Sequence, residues 1–318
     1  MLVTRRRERR LHRAAVAAPL AAVVATVASV VPAGAARADD PPFVGWSAAL
    51  PSLSWTYQPN SSDDCVAGRI TCVDRTITAM RKRLDPLAAS CDHAAVFSLA
   101  YLRTTEVYRR TAETPGFYQD PGYVNHEDAT FAALYFSAFD NWSAGRLAKV
   151  PPAWRIAFDA GANRRVSGVG DLLLGMNAHV NRDLPFTLAA IGLTAPDGSS
   201  RKPDHDKVDE MLNQVVEPLI DEEAARFDPQ IEPLTTPYGV GYTGLMQLLV
   251  AWRESAWRQA EQLVAAPDDA TRDRVASSIE AQAALNAKAI VAATSYLAPV
   301  NSTRSRDQFC ADRAGQGG

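Results

Sequence analysis

The chain lacks the short motifs that most directly assign an enzyme class. It contains no G-x-S-x-G elbow, no P-loop, no Rossmann glycine pattern and no H-E-x-x-H pair. These absences argue against a serine hydrolase of the α/β type, a P-loop or dinucleotide-binding protein, and a metalloprotease built on that helix. A candidate site therefore has to be found from the spacing of individual residues.

Long basic runs are absent after residue 38, where the longest is Arg81-Lys82-Arg83. Residues 1–13 are rich in Arg, residues 14–31 are uncharged and rich in Ala and Val, and residues 36–38 read Ala-Arg-Ala. This pattern is typical of a signal peptide, residues 1–38, that is cleaved before Asp39. The alternative is a membrane anchor, which needs about 20 apolar residues. We expect a secreted, extracytoplasmic protein that keeps no stable membrane anchor after cleavage.

Loss of residues 1–38 removes seven Arg and one Glu. It leaves 26 basic and 35 acidic residues, a formal net charge of −9. A surface of this sign repels nucleic acid and anionic lipid. We therefore expect no nucleic-acid binding through the general surface charge.

Cysteine is scarce, with four residues in the chain. An even number in an exported protein predicts two disulfides, for which three pairings are possible. Cys72 and Cys91 begin successive antiparallel helices and would lie at opposite ends, which disfavours a bond between them. We favour Cys65–Cys72 and Cys91–Cys310.

Alternation of polar and apolar residues, which strands require, is not sustained anywhere in the chain. From Val73 onward the apolar residues recur with the helical period, whereas residues 39–64 are rich in proline and have no such period. We predict an all-α fold, an antiparallel bundle of about eight helices. Residues 39–64 would form an extended arm and residues 65–318 a single helical domain.

One predicted helix, residues 172–186, carries polar residues in its apolar stripe. At about 100° per residue, Leu172, Met176 and Asp183 fall close to His179 on the helical wheel. An imidazole and a carboxylate in a buried stripe are costly unless they are paired or bind a metal. Pro185 would interrupt the helix and free the carbonyl of Asn181.

Further candidate ligands lie on neighbouring predicted helices. An antiparallel arrangement places Glu106, His126, Glu127 and Asp128 near the end from which helix 172–186 starts. Histidine with carboxylates is the ligand set of zinc, iron or manganese. The alternative is structural, because Asn125 would cap the third helix and carboxylates in a first turn complement the helix dipole. On the helical wheel His126 points away from the core face.

Two arginines of the predicted seventh helix, Arg253 and Arg258, are candidates for binding a phosphate. The alternative is that Arg258 forms an ion pair with Glu254 at helical spacing.

Several long segments resemble a family of uncharacterised exported actinobacterial proteins. They are CDHAAVFSLAYLRTTEVYRR, VNHED, VPPAWRIAFDA, LLLGMNAHVNRDLP and RKPDHD, and the resemblance covers almost all of residues 65–312. That family has no established activity, so the resemblance implies a family but not a function.

The segment LLLGMNAHVNRDLP also resembles the LG-x-x-x-H-x-x-x-D helix of the zinc-dependent phospholipase C and S1/P1 nuclease group. Those proteins are exported and all-helical, and the resemblance implies His179 and Asp183 as zinc ligands. The group has a further histidine after the proline, where this chain has Phe186 and Thr187.

Together these patterns predict a secreted metal-dependent hydrolase of a small-molecule substrate, a phosphoester being favoured. His179 and Asp183 would bind a divalent ion, with zinc favoured, and Glu127, Asp128 or Glu106 would complete its shell. Without a metal, His179 oriented by Asp183 would serve as a general base. The alternative is a non-catalytic secreted binding or structural protein in which these side chains form a buried polar network.

Overall fold

The computed structural model of the protein describes residues 56–231, 240–297 and 302–314. The predicted signal peptide, residues 1–38, and most of the predicted arm, residues 39–64, lie outside the described residues. The prediction of an all-α fold is confirmed. Apart from two isolated bridges, Val166 with Ser295 and Thr194 with Ser200, the described residues contain no β structure.

The helices follow one another with short connections. They are α1 (Ile70–Ala89), α2 (Ala95–Ala112), α3 (Pro121–Ser143), α4 (Pro152–Ala162), α5 (Gly168–Met176), α6 (Leu184–Ile191), α7 (Lys202–Arg226), α8 (Val240–Val264), α9 (Asp269–Thr294) and α10 (Thr303–Ala314). A π-helical segment, Asn177–Asp183, joins α5 to α6 without a break. Among the described helices none is long and apolar enough to cross a membrane.

The continuous helix formed by α5, the π-helical segment and α6 is the centre of the fold. It contacts α2, α3, α4, α8 and α9, and every residue of the π-helical segment is buried. Pro185 has no backbone N–H and cannot complete an α-helical bond to the carbonyl of Asn181. The backbone N–H of Leu184 instead donates to the carbonyl of His179, five residues earlier. The predicted interruption therefore takes the form of a π-helical segment.

Two disulfides join the ends of the domain to its body. Cys65 and Cys72 close a loop before α1 with Cα atoms 5.1 Å apart, and Cys91 and Cys310 tie α10 to the α1–α2 connection with Cα atoms 5.9 Å apart. This is the pairing that the sequence favours.

Gly175 lets α2 approach the central helix closely. A Cβ atom at this position would lie 2.2 Å from Cγ of Phe97, so the aromatic ring would have to move. We expect Gly175→Ala to lower the free energy of unfolding by about 1–3 kcal/mol in urea denaturation. Gly244→Ala is the control, because a Cβ there meets no atom of the described residues within 4 Å. It should be neutral or stabilising, and equal effects of the two substitutions would contradict this explanation.

Candidate active site

Helix α3 carries two carboxylates on its inward stripe. The helix is capped by Asp120, whose side chain accepts a hydrogen bond from the backbone N–H of Tyr123. The prediction that Asn125 caps this helix is therefore wrong, because Pro121 and Gly122 begin the helix instead of belonging to the preceding loop. Glu127 and Asp128 consequently lie beyond the first turn, where a carboxylate is not explained by capping.

The inward stripes of five helical segments enclose a cavity of about 140 Å³. An engineered cavity of about 150 Å³ is large enough to hold benzene, so the space suits a small molecule. Helix α3 contributes Val124, Glu127, Asp128 and Phe131 at helical spacing. The other walls come from α2, the α5–π region, α7 and α8, and they are largely apolar: Phe97, Ala100, Tyr101, Thr104, Thr105, Tyr108, Leu172, Met176, His179, Val180, Val208, Met211, Leu212, Val215, Val216, Leu219, Leu245, Leu249 and Arg253.

His179 enters this cavity from the π-helical segment and is held by Asp183. Its Nδ1 lies 3.0 Å from Oδ2 of Asp183. The same carboxylate accepts hydrogen bonds from Nε1 of Trp154 at 2.8 Å and from Nη1 of Arg182 at 2.8 Å. Since a carboxylate with these donors is an acceptor, Nδ1 of His179 carries the proton. The Nε2 atom is then left with a lone pair.

Aromatic rings fix the orientation of the imidazole. Phe131 stacks on His179 with ring centroids 3.4 Å apart, and Tyr101 lies against its edge at 4.4 Å. His179 is only 3% exposed. The ring is therefore held by packing as well as by Asp183.

Four polar atoms on the cavity wall are buried without a hydrogen-bond partner among the described residues. They are Nε2 of His179, the hydroxyl of Tyr101, Oε2 of Glu127 and Oδ2 of Asp128. Buried polar atoms in folded proteins are nearly always paired, and each exception needs an explanation. Four exceptions around one cavity indicate a place where a ligand supplies the missing partners.

Burial also changes the acidity of these groups. It raises the pKa of Glu127 to about 7, with Arg253 acting against the rise, and it raises the pKa of Asp128 to about 8, with Glu127 adding to it. Burial lowers the pKa of His179 below its usual value, although Asp183 opposes this. Glu127 and Asp128 can therefore exchange protons near neutral pH, and His179 is held in its neutral form, in which it can accept a proton.

Two of the predicted ligands lie elsewhere. Glu106 forms ion pairs with Arg81 and Arg103 on the outer side of α2. It follows Tyr101 by five residues, which turns it about 140° away from the cavity stripe. His126 is buried, but its Nδ1 lies 2.7 Å from the carbonyl of Cys65, away from the cavity as the helical wheel predicts. The structure therefore does not bring Glu106 or His126 to His179.

The two predicted phosphate-binding arginines have different surroundings. Arg253 lines the cavity, but its guanidinium is bound to Asp209 and to the carbonyl of His205. Arg258 is exposed and forms an ion pair with Glu254, which is the alternative noted from the sequence. The structure brings only Arg253 to the candidate site.

The predicted metal centre stays a prediction. Both oxygens of Asp183 accept hydrogen bonds from protein donors, which suits Asp183 to orienting His179 rather than to binding an ion directly. In the part of the chain that the structure describes, no three His, Cys, Asp or Glu side chains are placed to hold a metal ion.

Three residues of the site were not singled out from the sequence. Tyr101 occupies an inward position of α2, where nothing local separates it from a core tyrosine. Trp154 and Arg182 reach Asp183 from α4 and from the preceding position of the π-helical segment. A signal was available for Glu127 and Asp128, because a carboxylate within an apolar helical stripe is unusual.

Comparison with known proteins supplies a family but no activity. No curated protein and no solved structure matches the chain. Residues 73–293 match the model of a family of unknown function, DUF5995. The match spans more than half of the 318 residues and includes every residue that lines the cavity. The chain therefore belongs to the DUF5995 family of unknown function.

Proposed function

We propose that this protein is an enzyme in which His179 acts as a general base on a small molecule that has an apolar body and binds in the cavity. The observation that carries the proposal is the unpaired Nε2 of His179. It faces the cavity while Asp183 holds the proton on Nδ1. A purely structural histidine would be expected to have both ring nitrogens paired.

The surroundings suit proton transfer. The apolar walls limit access of water to Nε2, and a low-dielectric site strengthens the interaction between His179 and its carboxylate partner. When Nε2 takes a proton from water or substrate, the resulting imidazolium faces Asp183 and is stabilised by it. Glu127 and Asp128 can return a proton to a leaving group, because burial raises the pKa of each to about 7 and about 8.

The predicted phosphoester substrate receives less support than a neutral or cationic one. Glu127 and Asp128 would repel a phosphate, and Arg253 already binds Asp209. No step of the proposed chemistry passes through a metal, since both oxygens of Asp183 accept hydrogen bonds from protein donors.

A binding protein without catalysis is the second candidate. The observation that favours it is the apolar lining, which by itself suits a carrier of a small apolar molecule. In such a protein His179 would contribute to ligand affinity but not to turnover. The effect of a His179 substitution on turnover therefore separates the two candidates.

Export of the protein is also part of the proposal. The N-terminal pattern and the two disulfides support it, since structural disulfides persist in oxidising compartments. Export was inferred from residues 1–38, which lie outside the described residues.

The test compares p-nitrophenyl acetate with p-nitrophenyl phosphate, with and without a chelator. We expect hydrolysis of the carboxylic ester that is insensitive to the chelator. His179→Gln should lower kcat/KM by about 100-fold or more, since the base is lost. In the unaltered protein the rate should fall as pH decreases through a pKa below 6.5, because protonated His179 cannot accept a proton.

His126→Gln is the matched control, since His126 is buried but contacts Cys65 outside the cavity. It should leave the rate unchanged, and circular dichroism should show that both variants are folded. Chelator-sensitive hydrolysis of the phosphate would favour the metal-dependent hydrolase instead. Equal rates for the unaltered protein and His179→Gln would favour the carrier.

A further inference from the structure

The unpaired atoms of the cavity define the hydrogen-bonding character of its ligand. With its proton on Nδ1, His179 offers only an acceptor at Nε2. Above pH 8 Glu127 and Asp128 are mostly ionised and offer acceptors at Oε2 and Oδ2, whereas the Tyr101 hydroxyl can either donate or accept. Three of the four unpaired atoms are thus acceptors. A ligand that completes the site must bring N–H or O–H donors.

The charges of the cavity lining also favour a ligand that brings hydrogen-bond donors, in particular a cation. Arg253 is the cation that lines the cavity, and it acts on Glu127 while being bound to Asp209. Asp128 is influenced by burial and by the negative charge of Glu127, both of which raise its pKa. Asp128 is therefore the carboxylate that a positively charged ligand would balance.

The lining of the cavity is polar on some helices and apolar on another. Four aromatic rings, Phe97, Tyr101, Tyr108 and Phe131, line the same cavity as Asp128 and can also attract a cation through their faces. The α7 wall is a stripe that runs from Val208 to Leu219 and consists of aliphatic side chains and Met211. At 1.5 Å per residue this stripe extends for about 16 Å.

We propose that the cavity binds a primary amine in its protonated form, with the ammonium group at Asp128 and the apolar chain along α7. An ammonium group has three donors and no acceptor, which matches Nε2 of His179, Oδ2 of Asp128 and Oε2 of Glu127. This inference rests on the proposed function in taking the same cavity as the ligand site, but its test measures binding and not turnover.

The experiment compares three probes of the same chain length: n-butylammonium, n-butanol and butyrate. Their binding to the full-length protein would be followed by ligand-detected NMR at pH 9, where Asp128 is mostly ionised and the amine is still protonated. We expect n-butylammonium to bind about tenfold or more tightly than n-butanol, because its hydrogen bonds are charge-assisted. Butyrate should bind most weakly, since its charge has the same sign as that of Asp128.

Asp128→Asn should remove the advantage of the amine while leaving n-butanol unaffected. Asp140→Asn is the matched control, because Asp140 lies on the same helix but forms a surface ion pair with Arg83. If n-butanol or butyrate binds as tightly as the amine, or if no probe binds, the inference is wrong. Amine binding without any effect of His179→Gln on turnover would uphold it and leave only the proposed catalysis contradicted.

Loss of binding in Asp128→Asn should not come from unfolding. The pKa of Asp128 is raised from 3.8 to about 8 in the folded protein, so ionisation at higher pH opposes folding. Stability is therefore lost as pH rises from 3.8 toward 8, and Asp128→Asn should be at least as stable as the unaltered protein near pH 8. Thermal unfolding checks this. The titratable or charged groups around this part of the cavity are Tyr101 and Tyr108 on α2, Glu127 on α3, His179 on the π-helical segment and Arg253 on α8.

Discussion

Replacement of Asp183 by alanine should lower the free energy of unfolding by about 3–5 kcal/mol. Asp183 is fully buried and accepts hydrogen bonds from His179, Trp154 and Arg182. Alanine would leave the Trp154 N–H and one side of the Arg182 guanidinium without their acceptor, in a space that water reaches poorly. Arg182 would keep its ion pair with Glu280. Asp183→Ala should therefore lower the free energy of unfolding less than a substitution that leaves a buried charge with no partner.

Urea denaturation would measure this loss, and the protein contains a matched control. Asp159 also accepts a hydrogen bond from an indole, that of Trp142 at 3.0 Å, but its side chain is 48% exposed. Asp159→Ala should therefore cost about 1 kcal/mol or less, because water can replace the lost partner. Similar losses for the two variants would contradict the view that burial makes Asp183 important.

Replacement of Asp183 should lower catalytic activity as well as the free energy of unfolding. Without Asp183 the proton of His179 is no longer confined to Nδ1, and Nε2 would carry it for part of the time. Asp183→Asn separates the two effects, since it keeps the volume but not the charge. We expect Asp183→Asn to be more stable than Asp183→Ala and yet to lose most of the activity that depends on His179.

Loss of the Cys91–Cys310 disulfide should also lower the free energy of unfolding by a large amount. The two cysteines are 219 residues apart in the chain, and the loop-closure entropy for this length corresponds to about 5 kcal/mol. The bond holds α10, whose Arg306 is buried and donates to Asp171 at 2.6 Å. Since Asp171 lies in the first turn of α5, loosening of α10 would also reach the helix that carries His179.

The measurement is urea denaturation of the double variant Cys91→Ser, Cys310→Ser. Its control is Cys65→Ser, Cys72→Ser, because that disulfide spans only seven residues and the same relation predicts about 2 kcal/mol. Hydrogen exchange should become faster in α10 of the first variant. Equal losses from the two pairs would show that chain entropy does not control their contributions.

Predictions within one helix were the most successful. His179 and Asp183 are four residues apart, a spacing that brings side chains together in a helix, and they are hydrogen-bonded. The positions of Cys72 and Cys91 at helix starts disfavoured one of the three disulfide pairings, and the pairing favoured from the remaining two is the observed one. Both inferences needed only local geometry or chain direction.

Predictions that joined different helices were less successful. Glu106, Glu127 and Asp128 were candidates beside His179 because they lie near corresponding helix ends, whereas the helical wheel turned His126 away from the core face. The rotation of each helix about its axis determines which side chains face the cavity. Of these four residues, only Glu127 and Asp128 do so. Helix α3 begins at Pro121 and not after Asn125, so Glu127 and Asp128 lie beyond its first turn and do not complement its N-terminal dipole.

The sequence by itself determined the all-helical class, the loss of an α-helical hydrogen bond at Pro185 and the pairing of His179 with Asp183, because these depend on periodicity and on contacts within a turn or two. The tertiary structure alone decided that Tyr101 and an apolar cavity surround His179, that Glu106 lies elsewhere, and that Trp154 and Arg182 donate to the oxygens of Asp183. The physical reason is that helix rotation and spacing result from the packing of many side chains at once. No short segment contains that information.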